Sequence, residues 1–187
     1  MCGRYTLFTD EEYQDIRKII RAVQEKGHEV KTGEIYPTNP APILVWEGKE
    51  TVPQAVKWGW PKFQGSGVLI NARAETAKEK NLFRKSVYTR RCVVPTTGFY
   101  EWDQEKAKYR FILPHANTLY LAGLYNEFQG ERRFLILTTE ANASVSFIHS
   151  RMPVIVFREM IDTWLEDTEK AVHMLHWQQP ELHIATQ

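Results

Sequence analysis

The second half of the chain is a succession of short apolar segments, each followed by a polar turn. Segments 98–102, 109–113, 118–125 and 133–139 are rich in aromatic and β-branched residues. Such residues favour strands, and short polar turns connect strands that run antiparallel to each other. The pattern therefore predicts a domain in which antiparallel strands follow one another along the chain.

Further strands are expected on both sides of this region. Segments 43–46 and 51–60 flank a Glu-Gly-Lys turn, which predicts a hairpin. The other segments with strand character are 68–70, expected to be short and buried, 93–94 before a turn at Pro95, and 153–157. Segment 36–42 contains three prolines and is predicted to be irregular.

Helices are predicted at both ends of the chain and in its middle. Thr9 and Glu12 have the spacing of a capping box, apolar residues then recur at helical spacing, and Gly27 is a suitable end. This predicts a first helix of about five turns. The other predicted helices are 74–82, a short segment capped by Asn142, 159–165 and 168–175. Strands and helices together predict one α+β domain over residues 1–187.

Composition excludes several classes of protein. The net charge of +1 excludes a basic field over the whole surface, and no apolar run reaches the ~20 residues of a membrane span. Two cysteines in 187 residues do not make a disulfide framework. We therefore expect a cytoplasmic protein with reduced thiols and no membrane partner. His173 and His176 are three residues apart, but no nearby carboxylate or thiol completes a ligand set, so neither a metal nor another cofactor is predicted.

One stretch of the chain is nevertheless strongly basic. Between residues 71 and 92, seven basic side chains face only two acidic ones. A local patch of this kind can bind phosphates even when the whole chain is nearly neutral. It is equally well explained as a solvated helix face, and the sequence leaves both interpretations open.

Cys2 has a chemistry of its own once Met1 is removed. Its α-amine titrates near ~8 and its thiol near ~8.5, so both supply a nucleophilic fraction at neutral pH. An aldehyde can form an imine with the amine, and the sulfur then closes a five-membered thiazolidine. The alternative is that Cys2 is a small residue without a function, and the position alone favours this alternative.

Three polar side chains stand in settings that suit catalysis. Strand alternation places Glu101 on the same face as Phe99, where partial desolvation would raise its pKa towards that of a general acid. The alternative is an edge-strand glutamate in solvent. His149 suits a proton shuttle, and Asn71, after an apolar strand, would offer a rigid amide.

Other side chains suit contacts with a nucleic acid. Arg73 follows Asn71 closely and could meet a phosphate. Trp58, Trp60 and Phe63 surround Gly59 and Pro61, where exposed rings could stack on unpaired bases. The alternative is that these rings are buried in the core, which is the commoner position of an aromatic side chain.

Four motifs occur in a fixed order: Cys-Gly-Arg at 2–4, Asn-Ala-Arg-Ala-Glu-Thr at 71–76, Gly-Phe-Tyr-Glu-Trp at 98–102 and His-Ser-Arg-Met-Pro at 149–153. In these motifs the chain resembles the SOS response-associated peptidase (SRAP) family of abasic-site processing proteins. The resemblance implies antiparallel strands in a curved sheet or open barrel with flanking helices. It also implies a protein without a cofactor that forms a covalent thiazolidine link to abasic sites in single-stranded DNA and so shields the lesion during the DNA damage response.

The resemblance assigns roles to individual residues. Cys2 forms the link, Glu101 assists ring opening and proton transfer, His149 bonds the opened sugar, and Asn71 positions the N-terminus. The DNA contacts it implies are Arg4, Arg73 and Arg151, then Lys80, Arg84 and Arg91, with Trp58 and Phe63 as stacking residues. It further implies self-cleavage after Met1, abasic-site lyase activity, a monomer, and a bacterial or phage protein of the nucleoid that meets the replication machinery.

Two other functions are compatible with the same residues. The first is an N-terminal-nucleophile amidohydrolase or peptidase, with Cys2 as the thiol and its own amine as the base. The second is a non-catalytic binder of single-stranded DNA in which Cys2 is incidental. Neither requires a covalent adduct with an abasic site, so the adduct separates them from the first hypothesis.

Overall fold

The computed structural model describes residues 2–185 and contains fourteen strands in three sheets. In chain order the strands are β1 (Tyr5–Leu7), β2 (Gly33–Ile35), β3 (Pro40–Glu47), β4 (Glu50–Trp58), β5 (Trp60–Pro61), β6 (Val68–Leu69), β7 (Asn71–Arg73), β8 (Arg91–Thr96), β9 (Gly98–Trp102), β10 (Lys108–Ile112), β11 (Leu119–Phe128), β12 (Glu131–Glu140), β13 (Arg151–Pro153) and β14 (His183–Ile184). The helices are α1 (Gln14–Gln24), α2 (Ala74–Ala77), α3 (Asn81–Thr89), a 3₁₀ turn at Arg158–Met160, α4 (Ile161–Glu166) and α5 (Thr168–Met174).

Five strands close into a barrel. The order β11-β8-β3-β4-β12 is completed by pairing between β12 and β11, and β7 and β13 extend the sheet from β12. Most pairs are antiparallel, whereas β12 runs parallel to β4 and β7. Gly123 lies inside this barrel, where a Cβ would come within 2.8 Å of Cys92 Sγ and the Leu135 oxygen, so only glycine fits. The predicted α+β class with a barrel-like sheet of mainly antiparallel strands is confirmed.

The second sheet contains β1, the first strand of the described residues, at an inner position. Its order is β14-β10-β9-β1-β2, and β1 is therefore paired on both sides. Tyr5 pairs with Phe99, and the Tyr100 amide donates to the Arg4 oxygen at 2.9 Å. Because this register is antiparallel, the residues before β1 run towards the Glu101 end of β9.

Two apolar clusters hold these layers together. The first lies between the barrel and the second sheet and contains Tyr5, Trp58, Phe99 and Phe134, all fully buried. The second joins the barrel to the helices that cover it and contains Trp164, which is fully buried. Within the described residues, no helix is long and apolar enough to cross a membrane.

Several predicted boundaries are wrong. The first helix begins at Gln14, not at Thr9, because a turn in which the Tyr13 amide donates to the Asp10 oxygen at 3.0 Å precedes it. The irregular segment 36–42 is already strand from Pro40. Pro95 lies within β8, opposite Tyr120, and the predicted turn there is absent from this described strand.

The middle and end of the chain also differ from the prediction. Helix 74–82 is two helices, α2 and α3, which meet at Lys78–Lys80. Segment 68–70 is only half-buried, and its strand, β6, ends at Leu69, with one residue between it and Asn71, where β7 begins. The segment after Asn142 forms consecutive turns, not a helix, and the strand expected at 153–157 is β13 followed by a single bridge between Ile155 and Leu121.

Candidate active site

Cys2 lies in the interior and is tied to the barrel by Asn71. The side chain of Cys2 is fully buried, and its Sγ donates weakly to the Arg4 oxygen at 3.8 Å. Asn71 begins β7 and donates from Nδ2 to the Cys2 oxygen at 3.0 Å. This hydrogen bond crosses from one sheet to the other, so it fixes the backbone at Cys2 against a strand of the barrel.

Glu101 is the buried carboxylate that faces Cys2. Phe99 and Glu101 share the inner face of β9, at 0% and 2% exposure, which confirms the prediction from strand alternation. Burial raises the pKa of Glu101 above its usual value. Burial, and then the charge of Glu101, raise the pKa of the Cys2 thiol far above its usual value. The thiol is therefore held in its protonated form beside a carboxyl group that is itself able to carry a proton.

His149 completes this group from the segment between β12 and β13. The side chain is half-buried, and the Arg151 amide donates to its Nδ1 at 3.0 Å. The same Nδ1 lies 3.3 Å from the Arg151 oxygen, to which a protonated ring can donate. A neutral ring that accepts from the Arg151 amide carries its proton at Nε2. The charge of a protonated His149 lowers the pKa of Glu101, against the larger effect of burial, because the two side chains are close.

Arg4 lies beside Cys2 among aromatic rings. Its guanidinium is 4.3 Å from the centroid of the Tyr36 ring and 5.0 Å from that of Trp102, and it pairs with Glu34 at 3.2 Å. Lys108 pairs with the same carboxylate. The sequence analysis did not predict that Tyr36 and Trp102 lie at this site. The position of Trp102 directly after Glu101 in the motif could have indicated it.

A cleft opens next to His149. It has a volume of about 580 Å³, and its walls include Trp102, Phe147 and Ser150. Phe147 is 64% exposed, so the cleft has an apolar rim beside the candidate acid–base groups. An extended ligand that reaches His149 would therefore pass between aromatic side chains. Among residues 2–185, no group of three or more histidine, cysteine or carboxylate side chains is placed to hold a metal ion.

Some of the predicted DNA contacts are on the surface. Arg73, Lys80 and Arg84 are exposed along β7 and the two helices that follow it. Arg84 is held against the chain, since its Nε donates to the Lys78 oxygen at 3.1 Å. Phe63 is 81% exposed in the loop between β5 and β6. These four side chains are therefore accessible at the surface.

The prediction that Trp58 and Arg91 contact DNA is corrected by the structure, because both side chains are buried. Trp58 is fully buried, stacks on Phe134 with centroids 6.3 Å apart, and donates from its indole to the Ile70 oxygen at 3.2 Å. Trp60 is buried as well, at 1% exposure. Arg91 is 5% exposed, and its guanidinium donates to the backbone oxygens of Val87, Tyr88, Trp164 and Leu165. The faces that would meet a base or a phosphate are occupied by protein.

Arg151 is mostly engaged inside the protein. It donates to both oxygens of Glu75, at 2.7 and 2.9 Å, and to the Thr138 oxygen at 2.7 Å. The hydrogen bonds from Arg151 lower the pKa of Glu75 to about 2. With 15% of its side chain exposed and a carboxylate already bound, Arg151 is a weaker phosphate ligand than its motif predicts.

The sequence matches one family over almost its whole length. The family model described as "SOS response associated peptidase (SRAP)" matches residues 1–185. Abasic site processing protein YoqW of Bacillus subtilis is 35% identical over 185 residues, covering 88% of this chain and 80% of YoqW. Abasic site processing protein YoaM of the same organism is 32% identical over 181 residues, covering 88% of this chain and 79% of YoaM.

The fold is also similar to solved structures. A crystal structure of a protein from Bordetella bronchiseptica superposes with a TM-score of 0.78, covers 98% of each chain and is 21% identical in sequence. At this identity the likeness concerns the fold.

Proposed function

Because the chain belongs to the SOS response associated peptidase (SRAP) family, we propose that it processes abasic sites in single-stranded DNA through a covalent link from Cys2. The similar proteins YoqW and YoaM are named for abasic site processing. The observation that carries the proposal is the position of Cys2, buried beside Glu101 and bonded to Asn71 through its backbone.

The proposed reaction needs the amine of Cys2, and so requires loss of Met1. The amine attacks the C1′ aldehyde of the opened sugar, and loss of one water gives the imine. The thiol then adds to the imine carbon: a C–S bond forms, the C=N pair of electrons moves to nitrogen, and the thiol proton is transferred to that nitrogen. The product is a thiazolidine, whose mass is that of protein plus DNA less one water.

Glu101 suits the proton transfers of this sequence. An abasic sugar is mostly a closed hemiacetal, which becomes an aldehyde only when its ring oxygen takes up a proton and the C1′ hydroxyl loses one. A buried carboxyl with a raised pKa holds that proton closer to neutral pH than a solvated one. The resulting carboxylate can then accept the proton of the Cys2 thiol.

His149 and Asn71 have supporting roles in this proposal. With its Nδ1 bound by a backbone amide, His149 presents Nε2–H as a donor to a hydroxyl of the opened sugar. Asn71 holds the backbone of Cys2, so that amine and thiol reach the same carbon. An imine that escapes sulfur capture loses a proton at C2′ and breaks the strand by β-elimination, which is the lyase activity expected of this site.

The surface next to the site suits a single strand. Arg4 and Arg73 lie on the two chain segments that meet at Cys2. In this proposal exposed Arg73 contacts a phosphate, and Arg4 does so only by exchanging its pairing with Glu34. Lys80, Arg84 and Phe63 extend the exposed surface with charge and a stacking ring. The monomeric state, association with the nucleoid and contact with the replication machinery remain predictions.

The test is adduct formation with an oligonucleotide that carries one abasic site. We expect a species that survives denaturing electrophoresis and has the mass given above. Cys2→Ser keeps the amine but lacks the sulfur, so it should give only an imine that borohydride traps; Cys92→Ala, which changes the other cysteine, should retain the adduct. The mass of the free protein shows whether Met1 has been removed, by self-cleavage or otherwise.

Two outcomes would overturn the proposal. Turnover of amide substrates without an adduct would indicate an N-terminal-nucleophile hydrolase. Salt-sensitive binding of equal strength to intact and abasic strands, again without an adduct, would indicate a non-catalytic binder.

A further inference from the structure

The turn that carries His149 is built on Asn142. The backbone oxygen of Asn142 accepts from the amides of Val145 and Ser146, at 3.1 and 2.9 Å, and the amide of His149 donates to the Val145 oxygen at 3.1 Å. The side-chain oxygen of Asn142 accepts from the Ser144 amide at 3.1 Å. Two successive hydrogen bonds therefore relate the backbone of His149 to Asn142.

The other end of the Asn142 side chain holds a segment near the end of the chain. Its Nδ2 donates to the oxygens of Gln179 and Pro180, at 3.1 and 2.8 Å. The Leu182 amide returns a hydrogen bond to Ser144 Oγ at 3.0 Å. Leu182 is buried at 3% exposure, so the segment is anchored by packing as well as by hydrogen bonds.

The same segment continues into the sheet that carries Glu101. Residues of β14 pair with β10, and the Ala185 amide donates to the Arg110 oxygen at 2.8 Å. Strand β10 pairs in turn with β9, where Glu101 lies opposite Tyr109. Residues 179–185 thus connect the turn of His149 to the strand pair of Glu101, and we call this segment the clasp.

We propose that Asn142 is a positioning residue that acts through His149, by joining the clasp to the turn and so fixing His149 relative to Glu101. The inference rests on the proposed function. Displacement of a catalytic group by about 1 Å can cost on the order of 100-fold in rate. The Asn142 side chain ties the turn to the clasp, and a small displacement of the turn on loss of this tie would move His149 without unfolding the domain.

The turn has support that does not involve the Asn142 side chain. Val145 is fully buried, and the Ala141 amide donates to the Ser150 oxygen at 3.0 Å, which closes the base of the loop. Loss of the two hydrogen bonds to the clasp should therefore shift the turn and leave the domain folded. This separates a positioning role from one in global stability.

Asn142→Asp is the sharpest variant. It is nearly isosteric and still accepts from Ser144, but it cannot donate to Gln179 and Pro180 and turns a negative charge towards their oxygens. The matched control is Asn117→Asp, which removes an exposed hydrogen bond of 3.0 Å to the Glu12 oxygen. We expect adduct formation to slow about 10-fold for Asn142→Asp and less than about 2-fold for Asn117→Asp.

The decisive experiment makes the same substitution in a protein that lacks the His149 side chain. In a His149→Ala background, Asn142→Asp should have no further effect on the rate, because the group through which it acts is gone. Equal slowing in both backgrounds would overturn the proposal. Should Asn142→Asp not fold, Ser144→Ala, which removes the acceptor for the Leu182 amide, takes its place in the same cycle.

A second readout does not depend on the reaction. The imidazole resonances of His149, followed by NMR in the full chain, should shift in Asn142→Asp and stay in place in Asn117→Asp. Unchanged resonances would overturn the positioning role even if the rate falls. If the unaltered protein forms no adduct, the proposed function fails, whereas this measurement still tests the link between the clasp and His149.

Discussion

Asn71 Nδ2 lies 3.0 Å from the backbone oxygen of Cys2, although 69 residues separate the two along the chain. Asn71 is 7% exposed, and its side-chain oxygen has no hydrogen-bond partner among residues 2–185. A buried amide that uses its donor and leaves its acceptor unsatisfied carries a free-energy cost. Among the described residues, Asn71 therefore acts on Cys2 through its amide donor alone.

The first prediction concerns this amide. In Asn71→Asp the donor is lost and a carboxylate faces the Cys2 oxygen, so Cys2 should be held less well and adduct formation should slow about 10- to 100-fold. The rate is measured by quantifying the covalent product over time under single-turnover conditions. An unchanged rate in a folded variant would show that the hydrogen bond does not position Cys2.

The second prediction separates the role of Glu101 from a general loss of activity. Glu101→Gln keeps the size of the side chain but cannot transfer a proton. If Glu101 opens the sugar, the variant should be slowed at least about 10-fold more on an abasic site with a closed ring than on an oligonucleotide with a preformed aldehyde. Equal slowing on the two substrates would assign Glu101 another role.

The third prediction concerns stability. Burial raises the pKa of Glu101 in the folded chain, so the folded chain binds the carboxyl proton more tightly than the unfolded chain does. The contribution of Glu101 to stability therefore falls as the pH rises from the unfolded pKa of ~4.3 through the folded pKa. Glu101→Gln removes the charge and should stabilise the protein at pH 7 by on the order of 1 kcal/mol, with a smaller effect at pH 4. Thermal unfolding at both pH values measures this. The prediction would be contradicted if the stability that Glu101→Gln gains over the unaltered chain were smaller at pH 7 than at pH 4.

The sequence predicted those features of the fold that depend only on neighbouring residues, such as which side chains share one face of a strand. The alternation of β9 is a property of five residues, and it gave the buried face of Glu101 correctly. The burial of Trp58 depends on the parallel pairing of β4 with β12, and that of Arg91 on backbone oxygens of α4. These contacts join segments more than 70 residues apart, and nothing in the residues around Trp58 or Arg91 indicates them.

The same reasoning explains the other differences. The capping box at Thr9 has the right residue types, but the turn ending at Tyr13 delays the helix, since the chain must first leave β1. Arg151 stands in a motif that predicts a phosphate contact, whereas its partner Glu75 lies in a different motif. The sequence contains both residues, and only the fold shows that they meet.

The fourth prediction contrasts two arginines of the basic stretch. Arg73→Ala removes an exposed charge and should weaken binding to single-stranded DNA and lower the slope of log affinity against log salt by about 0.7, with little effect on stability. Arg91→Lys keeps the charge but loses the planar donors to four backbone oxygens, so it should destabilise the fold by about 2–4 kcal/mol. Salt titrations and chemical unfolding measure the two effects. An Arg73→Ala variant with an unchanged salt slope would exclude a phosphate contact there.

The fifth prediction follows from the pairing of Glu75 with Arg151. Hydrogen bonds from Arg151 lower the pKa of Glu75 to about 2, so the folded chain binds this proton more weakly than the unfolded chain. The stabilisation is therefore complete above the unfolded value of ~4.3 and is lost as pH falls towards 2. Glu75 is 38% exposed, which screens the pair and limits its contribution to about 1 kcal/mol.

Glu75→Gln should accordingly be less stable than the unaltered chain at pH 7, and the difference should shrink between pH 5 and pH 2. Chemical unfolding across this range measures it, with Glu11→Gln on the exposed surface as the matched control. Because the pair joins α2 to β13, which follows His149 by two residues, Glu75→Gln should also slow adduct formation where Glu11→Gln does not. A stability difference that stays constant from pH 7 to pH 2 would mean that the ion pair does not contribute to acid sensitivity.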